Sequence, residues 1–199
     1  MPASIRAAVL APCLAPCLAA ALAPAALAQT AITIEVENPV LMPGESTVVT
    51  MWAGFDPSDY AMQGIATRLR TSVGSDGWSD ARLVFPMNGP GSSPGAASTT
   101  GYDGILAGQL HALGEIYADT SNPIAFWEAV YTAPPAPEAF DVWLSTATMY
   151  YAVYTDPFSP GSESRLPDLT EGAATIRVIP APASALVLAG GVLAQRRRR

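Results

Sequence analysis

The chain has 199 residues, of which 50% are hydrophobic and 14% are charged, and its formal net charge is −7. It contains no lysine, and all seventeen acidic residues lie between the two termini. Five arginines accompany those seventeen acidic residues in the central segment, residues 29–179, which therefore carries a charge balance of −12. Such an acidic surface repels nucleic acid, so we expect no nucleic-acid partner.

Residues 1–28 have the features of a secretory signal peptide. One early charge, Arg6, precedes a run of alanine, leucine and valine. Ala26 and Ala28 flank Leu27 in the small-x-small pattern of a signal-peptidase site, so signal peptidase is an expected partner. Prolines within the run disfavour a permanent membrane helix, and these are Pro12, Pro16 and Pro24.

Both cysteines of the chain, Cys13 and Cys17, lie in this predicted signal peptide. Each follows Leu-Ala-Pro, which resembles a lipoprotein site, although a proline directly before the cysteine fits that site poorly. Once the signal peptide is removed, no cysteine remains for a disulfide framework or a thiol site. With no cysteine left and His111 as the single histidine, the mature chain lacks the ligands for a zinc site.

The central segment, residues 29–179, has the pattern of an all-β domain. Ile32, Ile34 and Val36 alternate with polar residues, which is typical of a half-buried strand. Ile65, Thr67, Leu69, Thr71 and Val73 form one face of another strand, with Arg68 and Arg70 on the other face. Further strands are predicted over residues 47–55, 81–85, 124–132, 140–145, 149–154 and 174–179, and residues 88–100 are predicted to be a loop. Strands at this spacing predict a β-sandwich.

One stretch of the central segment has helical rather than alternating spacing. Its apolar positions are Leu106, Leu110, Leu113 and Tyr117. Three glycines in the same stretch lower the helical propensity: Gly104, Gly108 and Gly114. The sequence leaves two alternatives here, a short helix or an irregular loop between strands.

The run from Ile32 to Val73 is similar to the start of a cohesin-type domain. An extended strand is followed by the turn Pro43-Gly44-Glu45, a β-rich run, and a strand in which Gly64-Ile65 precedes Leu69. The resemblance covers about a quarter of the chain. It implies a β-sandwich of the cohesin or immunoglobulin-like, jelly-roll type.

The last twenty residues, 180–199, combine a proline boundary, an apolar run and a basic end. Pro180-Ala181-Pro182 precedes an apolar segment over residues 183–194, and Arg196–Arg199 end the chain. As a helix the apolar segment would extend about 18 Å, which is short against the roughly 30 Å hydrocarbon core of a membrane. The arginines are expected on the cytoplasmic side. We therefore predict a short transmembrane helix.

This layout resembles the PEP-CTERM sorting signal of bacterial envelope proteins, with Ala181 in place of the central glutamate. The resemblance implies an exosortase-type membrane sorting enzyme as partner, and a destination at the cell envelope, the cell surface or the extracellular matrix. It also implies that the mature chain ends near residues 180–184. A rhombosortase-type signal is the alternative, but its glycines precede the helix, whereas Gly190 and Gly191 lie within it.

Two catalytic patterns can be tested on the sequence. Gly91 to Gly95 fits the G-x-S-x-G pattern of serine hydrolases, but the residue after the central serine is Pro94. Proline has no N–H to donate to an oxyanion, so the segment cannot form that site. His111 has no nucleophile at a recognisable spacing. We therefore predict that the protein is not an enzyme.

The remaining candidate ligands are carboxylates and aromatic rings. No cofactor is expected, although two carboxylate pairs in turns, Asp56 with Asp59 and Asp76 with Asp80, are candidate calcium ligands. Trp143 lies opposite the inward-facing Val142 and Leu144 and is the candidate glycan contact. Two functions follow: a non-enzymatic structural or adhesive protein of the envelope, or a carbohydrate-binding module that contacts exopolysaccharide. The other aromatic residues considered for a sugar platform are Trp52, Trp78, Trp127, Tyr150, Tyr151 and Tyr154.

Overall fold

The computed structural model describes residues 30–111, 118–136 and 138–180. Within those ranges the chain forms eleven β-strands and one short 3-10 helix, Leu166–Asp168. The predicted signal peptide, residues 1–28, lies outside the described residues. In chain order the strands are β1 (Ala31–Val36), β2 (Val40–Leu41), β3 (Ser46–Gly54), β4 (Ala61–Thr71), β5 (Trp78–Leu83), β6 (Ser93–Ser98), β7 (Gly101–Gly108), β8 (Ile124–Thr132), β9 (Phe140–Asp156), β10 (Ser159–Ser164) and β11 (Ala173–Val178).

These strands form two sheets packed against each other. The smaller sheet has the order β1-β3-β8-β5 and is antiparallel. The larger sheet has the order β2-β11-β9-β4-β7-β6, with β10 pairing with the second half of β9. Its short β2–β11 pair is parallel. The prediction of an all-β sandwich is thus confirmed for the described residues, although the strand predicted over residues 81–85 begins earlier, at Trp78.

The core lies between the sheets and is built from alternating side chains. On β4, Ile65, Thr67 and Leu69 are fully buried, while Arg68 and Arg70 point to the opposite side, as predicted. Every second residue of β3 is buried in the same way. Burying one large aliphatic side chain contributes about 1.5–3 kcal/mol, so this alternation holds the two sheets together.

The predicted strands over residues 140–145 and 149–154 are one continuous strand, β9. Thr148 pairs with Thr67 and Tyr150 pairs with Ala66, so Met149 between them is an extra, bulged residue. The bulge reverses which residues face the core. Inward positions are even-numbered before it and odd-numbered after it: Val142 and Leu144, then Tyr151 and Val153. Because the inward positions change from even to odd numbers at the bulge, the sequence pattern of β9 resembles two separate strands.

The prediction of a loop over residues 88–100 is wrong for its second half, because β6 pairs along the edge of β7. Local propensity disfavours a strand here, since the segment contains Pro94 and Gly95 and has no large apolar side chain. The strand is held by its partner β7 and by the Nε1–H of Trp127, which donates to the carbonyl oxygen of Pro94 at 3.0 Å. Gly95 has φ +83°, a conformation that favours glycine.

The helix alternative for residues 106–117 is wrong where the structure describes the chain. Leu106 lies in β7 and pairs with Ala66, and Leu110 lies in the irregular segment that follows. Gly104 has φ +72°, which fits the irregularity in the β4–β7 ladder beside it. Leu113 and Tyr117 lie outside the described residues.

The chain enters and leaves the described domain at opposite ends of the sandwich. Thr30 precedes β1, whose first residue pairs with Gly54 at the end of β3. The N–H of Ile179 donates to the carbonyl oxygen of Leu41 at 2.9 Å, close to Ser46 at the start of β3. The eight residue steps of β3 correspond to about 26 Å. We refer to these two ends as the Gly54 end and the Ser46 end.

A buried tyrosine links the two sheets at the Gly54 end. Tyr151 of β9 is fully buried, and its hydroxyl donates to the carbonyl oxygen of Gly54 at 2.6 Å. Burial, and secondarily the negative charge of Asp59, raises the pKa of the Tyr151 hydroxyl well above its usual value. The neutral hydroxyl is therefore the form that the folded state stabilises.

This linkage predicts a loss of stability at alkaline pH. Because the pKa is raised in the folded state, the contribution of Tyr151 is fully present below the unfolded pKa of about 10 and declines as pH rises above it. Tyr151→Phe is expected to lower the free energy of unfolding by about 1 kcal/mol at pH 7 and to weaken the pH dependence above pH 10. Urea unfolding from pH 7 to 11 measures both effects. A parallel pH profile for the two proteins would contradict this assignment.

Candidate functional site

The residues predicted to direct export and sorting lie at or beyond the limits of the described structure. Pro180 is its last residue and is exposed. No helix in the described ranges is long and apolar enough to cross a membrane. Outside those ranges lie Ala26, Ala28, Ala181, Pro182, Arg196, Arg197, Arg198 and Arg199. Export and sorting therefore stay predictions.

The outer face of the larger sheet, which points away from the smaller sheet, carries exposed apolar side chains. Four of them, on β7 and β9, are 40% to 61% exposed: Leu106, Trp143, Met149 and Tyr150. Side chains of this size are usually buried in a domain with a well-formed core. A sheet face that presents several of them is a candidate binding surface.

Trp143 is the most exposed of these residues, at 61%. Its backbone is fixed by a reciprocal contact with Ser72: the N–H of Ser72 donates to the Trp143 carbonyl oxygen, and the Trp143 N–H donates to the Ser72 hydroxyl, both at 3.1 Å. The side chain lies opposite Val142 and Leu144, as the alternation predicts. The structure therefore presents this indole from a rigid strand near the Ser46 end.

Most of the other aromatic residues considered for a sugar platform are part of the core. Trp127, Tyr151 and Tyr154 are buried, and Trp78 is partly buried and packs against the core. Trp52 is half-buried on the smaller sheet, where its Nε1–H donates to Glu35 at 2.8 Å. Tyr150 is the exception, because its ring lies on the outer face beside a depression in the larger sheet.

This depression is a groove of about 270 Å³ near the Gly54 end of the outer face. Gly64 of β4 and Gly108 of β7 pair with each other there and form a floor without side chains. Tyr150, Leu106 and Leu110 are among the residues that line the groove. Its size is close to the lower limit of typical small-ligand sites, which begin at about 300 Å³.

Polar groups around the groove are neutral and well ordered. The Tyr150 hydroxyl donates to Oε1 of Gln63 at 2.8 Å, which orients both side chains. Burial, with a smaller effect of Tyr154, raises the pKa of the Tyr150 hydroxyl, so it stays protonated at neutral pH. Gln109 is fixed by donating to the carbonyl oxygens of Met62 at 2.6 Å and Asp119 at 2.9 Å. The lining residues, all within the described ranges, include no charged side chain.

Charged residues lie on the outer face between the groove and Trp143. Arg68 and Arg70 project from β4, and both contact the carboxylate of Asp103, at 3.6 Å and 3.4 Å respectively. The Arg68 guanidinium also contacts the sulfur of Met149 at 3.3 Å. These contacts pair the charges locally and separate the neutral groove from the exposed indole.

The two carboxylate pairs considered for calcium differ in how they are bound. Asp59 accepts hydrogen bonds from Nε of Arg165 at 3.1 Å and from a terminal guanidinium nitrogen at 2.5 Å, so its carboxylate is already paired. Hydrogen bonds from Ser58 lower the pKa of Asp56. No group of three or more His, Cys, Asp or Glu residues in the described chain is arranged to share a metal ion. Calcium binding by either pair stays a prediction.

His111 is buried and links two loops at the Gly54 end. Its Nδ1 accepts the backbone N–H of Ala118 at 3.3 Å, and its Nε2 lies 3.0 Å from the carbonyl oxygen of Pro157. This arrangement places the ring proton on Nε2. The rings of Tyr60 and Tyr154 lie 5.5 Å and 5.1 Å away. These contacts give His111 a structural role in this part of the fold.

The segment that matches G-x-S-x-G contributes to the edge of the larger sheet. Ser93 begins β6, and its hydroxyl accepts the N–H of Gly95 at 3.2 Å. Pro94 pairs with Ile105 of β7. The pattern therefore lies in a strand and not at the strand-to-helix turn that positions a hydrolase nucleophile.

No protein-family model matches the sequence, and no curated protein matches it either. Among solved structures, the chain is similar to a cohesin module from a family 33 glycoside hydrolase of Clostridium perfringens, at 9% identity and a TM-score of 0.47, over 77% of this chain and 99% of that chain. It is also similar to a chain of a type I cohesin–dockerin complex from Clostridium thermocellum, at 14% identity and a TM-score of 0.48, over 76% and 99% of the two chains.

A third similar structure is a protein from Nocardia farcinica with an immunoglobulin-like fold. It shares 13% identity and a TM-score of 0.31, over 75% of this chain and 98% of that chain. TM-scores below 0.5 are too low to assign this chain to any of these groups. The β-sandwich is established by the strand pairing of the chain itself.

The groove is the feature that sequence reasoning missed. Gly64 and Gly108 are 44 positions apart, and only the β4–β7 register brings them together. Glycine within a strand is a signal of close backbone approach or of an open surface. In the sequence, Gly64 belongs to a turn-and-strand motif and Gly108 lowers the helical propensity of its segment, and neither position alone indicates a groove.

Proposed function

We propose that this chain is an exported, non-enzymatic protein of the cell envelope or extracellular matrix with a structural or adhesive role. The observation that carries the proposal is the outer face of the larger sheet, where large apolar side chains are exposed on rigid strands. A surface of this kind is suited to binding a partner. His111 and Asp59, which are the buried residues best suited to acid–base chemistry, are instead engaged in structural hydrogen bonds.

The two terminal segments support export across the inner membrane followed by sorting to the envelope. A signal peptide ending at Ala28 would carry the chain across the inner membrane, and the Pro-Ala-Pro tail with its terminal arginines would present it to an exosortase-type enzyme. Because the apolar run is shorter than a membrane span, it is better suited to transient recognition than to permanent anchoring. Pro180 and Pro182 disfavour a helix that continues into the domain, which keeps the approach to the tail extended.

Deleting Arg196–Arg199 is expected to abolish sorting, because the positive block that holds the tail on the cytoplasmic side is lost. Cell fractionation of the host would show the protein without the deletion in the envelope or medium and the deletion variant retained in the membrane. Intact-mass analysis of the released protein is expected to give a chain that starts at Gln29 and ends near residues 180–184.

Two results would overturn this route. Cytoplasmic localisation of the unmodified protein would exclude export. A released protein whose mass includes Arg199 would show that the tail is not a processed sorting signal. Replacing Arg82 and Arg177 by glutamine is the matched control, because it also removes positive charge but leaves the tail intact.

Carbohydrate binding is the second candidate function, and the exposure of Trp143 favours it. An indole held on a rigid strand offers a flat apolar surface at little cost in conformational entropy. A pull-down on exopolysaccharide from the host would retain the domain, and Trp143→Ala would weaken that retention if the indole contacts the polymer. Equal retention of both proteins would exclude Trp143 as the glycan contact.

A further inference from the structure

The groove on the outer face has a backbone floor and a lining that is mainly apolar. Its floor is backbone, formed where Gly64 and Gly108 meet, and its lining combines the Tyr150 ring with apolar residues such as Leu106 and Leu110. A small number of oriented polar groups within an apolar lining is typical of ligand sites. The groove therefore combines an apolar contact surface with fixed hydrogen-bonding groups.

The floor excludes one common kind of occupant. β4 lies between β9 and β7, and β7 lies between β4 and β6, so neither strand has a free edge. An extended peptide that binds by adding a strand needs such an edge. The occupant must instead be recognised through the Tyr150 ring, the side chains around it and the surface of the sheet.

The charges in and around the groove restrict the class of ligand that it could bind. No charged side chain lines the groove within the described residues, whereas the central segment as a whole carries a balance of −12. An anionic ligand would find no cation among the residues that line the groove, and the two neighbouring arginines, Arg68 and Arg70, already contact Asp103. The polar groups present, the Gln63 amide and the Tyr150 and Ser92 hydroxyls, match a neutral ligand rich in hydroxyl groups.

We propose that this groove binds a neutral sugar unit of a polysaccharide. One face of the sugar ring packs on the Tyr150 ring, and its hydroxyl groups exchange hydrogen bonds with Gln63, Tyr150 and Ser92. The open glycine floor lets the ring approach the sheet closely. This inference rests on the proposed binding role of the outer face and places the glycan contact at the groove, separate from Trp143.

Gly108→Val tests the floor directly. Gly108 has no positive φ, and a Cβ there would lie 3.4 Å from the Gln63 carbonyl oxygen and 4.0 Å from the Ser92 hydroxyl, so the Cβ makes ordinary contacts at the floor of the groove. The larger valine side chain is expected to occupy part of the groove. Tyr150→Ala removes the ring. Phe85→Ala is the matched control, because it removes an aromatic ring that is 80% exposed and does not line the groove. Trp143→Ala tests the other candidate glycan contact. Gly108→Ala is a milder variant should valine disturb the fold, and circular dichroism with thermal melting checks every variant.

The experiment is an array of neutral and acidic glycans, followed by titration of the best neutral oligosaccharide into the purified central segment with its tail. Gly108→Val and Tyr150→Ala are expected to weaken binding at least about tenfold, and the control Phe85→Ala by less than about threefold. In the unmodified protein the amide resonances of Gly64 and Gly108 are expected to shift on titration.

Three results would overturn the inference. Retention of acidic but not neutral glycans would contradict the charge argument, and no retention of any glycan would exclude a sugar site. Binding that depends on Trp143 and not on the groove variants would move the glycan contact to the Ser46 end. None of these results affects export and tail processing, which the fractionation and mass experiments test separately.

Discussion

Replacing Trp127 with alanine is expected to lower the free energy of unfolding by about 3–5 kcal/mol. The indole is fully buried between the sheets, and its ring centroid lies 5.4 Å from that of Tyr102 on the opposite sheet. Its Nε1–H also donates to the carbonyl oxygen of Pro94 at 3.0 Å. Alanine would leave a cavity and remove the bond that holds the edge strand β6. Because domains are stable by about 5–15 kcal/mol, this is a large share of the total.

Urea unfolding followed by circular dichroism measures this loss, and Trp143→Ala is the matched control. The same substitution at the exposed indole is expected to change the free energy of unfolding by no more than about 0.5 kcal/mol. Trp127→Phe keeps most of the packing and isolates the hydrogen bond, for a cost of about 1 kcal/mol. Similar effects of the two alanine substitutions would contradict the burial of Trp127.

Replacing Arg165 with methionine is expected to cost about 3 kcal/mol, because it leaves the Asp59 carboxylate buried and unpaired. The Asp59 side chain is 2% exposed and that of Arg165 is 21% exposed, so water reaches the guanidinium more easily than the carboxylate. The Arg165 guanidinium also contacts Glu163 at 2.9 Å. Hydrogen bonds to Asp59 and Glu163 raise the pKa of Arg165, which keeps it charged.

The same change at an exposed ion pair provides the comparison. Arg82 contacts Glu128 with a side chain that is 71% exposed, and Arg82→Met is expected to cost less than about 1 kcal/mol. The double variant Asp59→Asn with Arg165→Met is expected to be more stable than Arg165→Met alone, since it leaves no buried charge. Thermal and urea unfolding measure all three variants. A double variant no more stable than the single one would show that Asp59 is solvated in the folded state.

Strands with large alternating side chains were predictable from the sequence. The pattern of Ile65, Thr67 and Leu69 identified the inner face of β4 because burial of every second residue is a local property of a strand. β6 was not predictable, since its small residues, with Pro94 and Gly95, are stabilised by β7 and Trp127, which lie elsewhere in the sequence. The sequence predicts two strands where the structure has the single strand β9, because the bulged residue Met149 reverses the alternation.

The two parts of the candidate site also differ in whether the sequence predicts them. The exposure of Trp143 followed from its position opposite Val142 and Leu144 on one strand. The groove depends on the register between β4 and β7, which places Gly64 beside Gly108, and on the bulge at Met149, after which Tyr150 of β9 faces the same surface. Register is a long-range property, so a single sequence contains only the glycines and not their meeting point.

The chain leaves the domain at the Ser46 end, whereas the groove lies near the Gly54 end. This separation determines the distance between the groove and an attachment point beyond Pro180. Phe140 pairs with Val178 near the exit of the chain, while Ala152, twelve residues along β9, pairs with Gly64 in the groove floor. Twelve steps of a strand are at most about 40 Å, and the bulge at Met149 makes the direct separation shorter. A molecule held through the chain beyond Pro180 would present the groove at a distance of at least about three Debye lengths at physiological ionic strength. Charges on the supporting surface would then be screened from the groove, so ligand binding would be insensitive to what the protein is attached to.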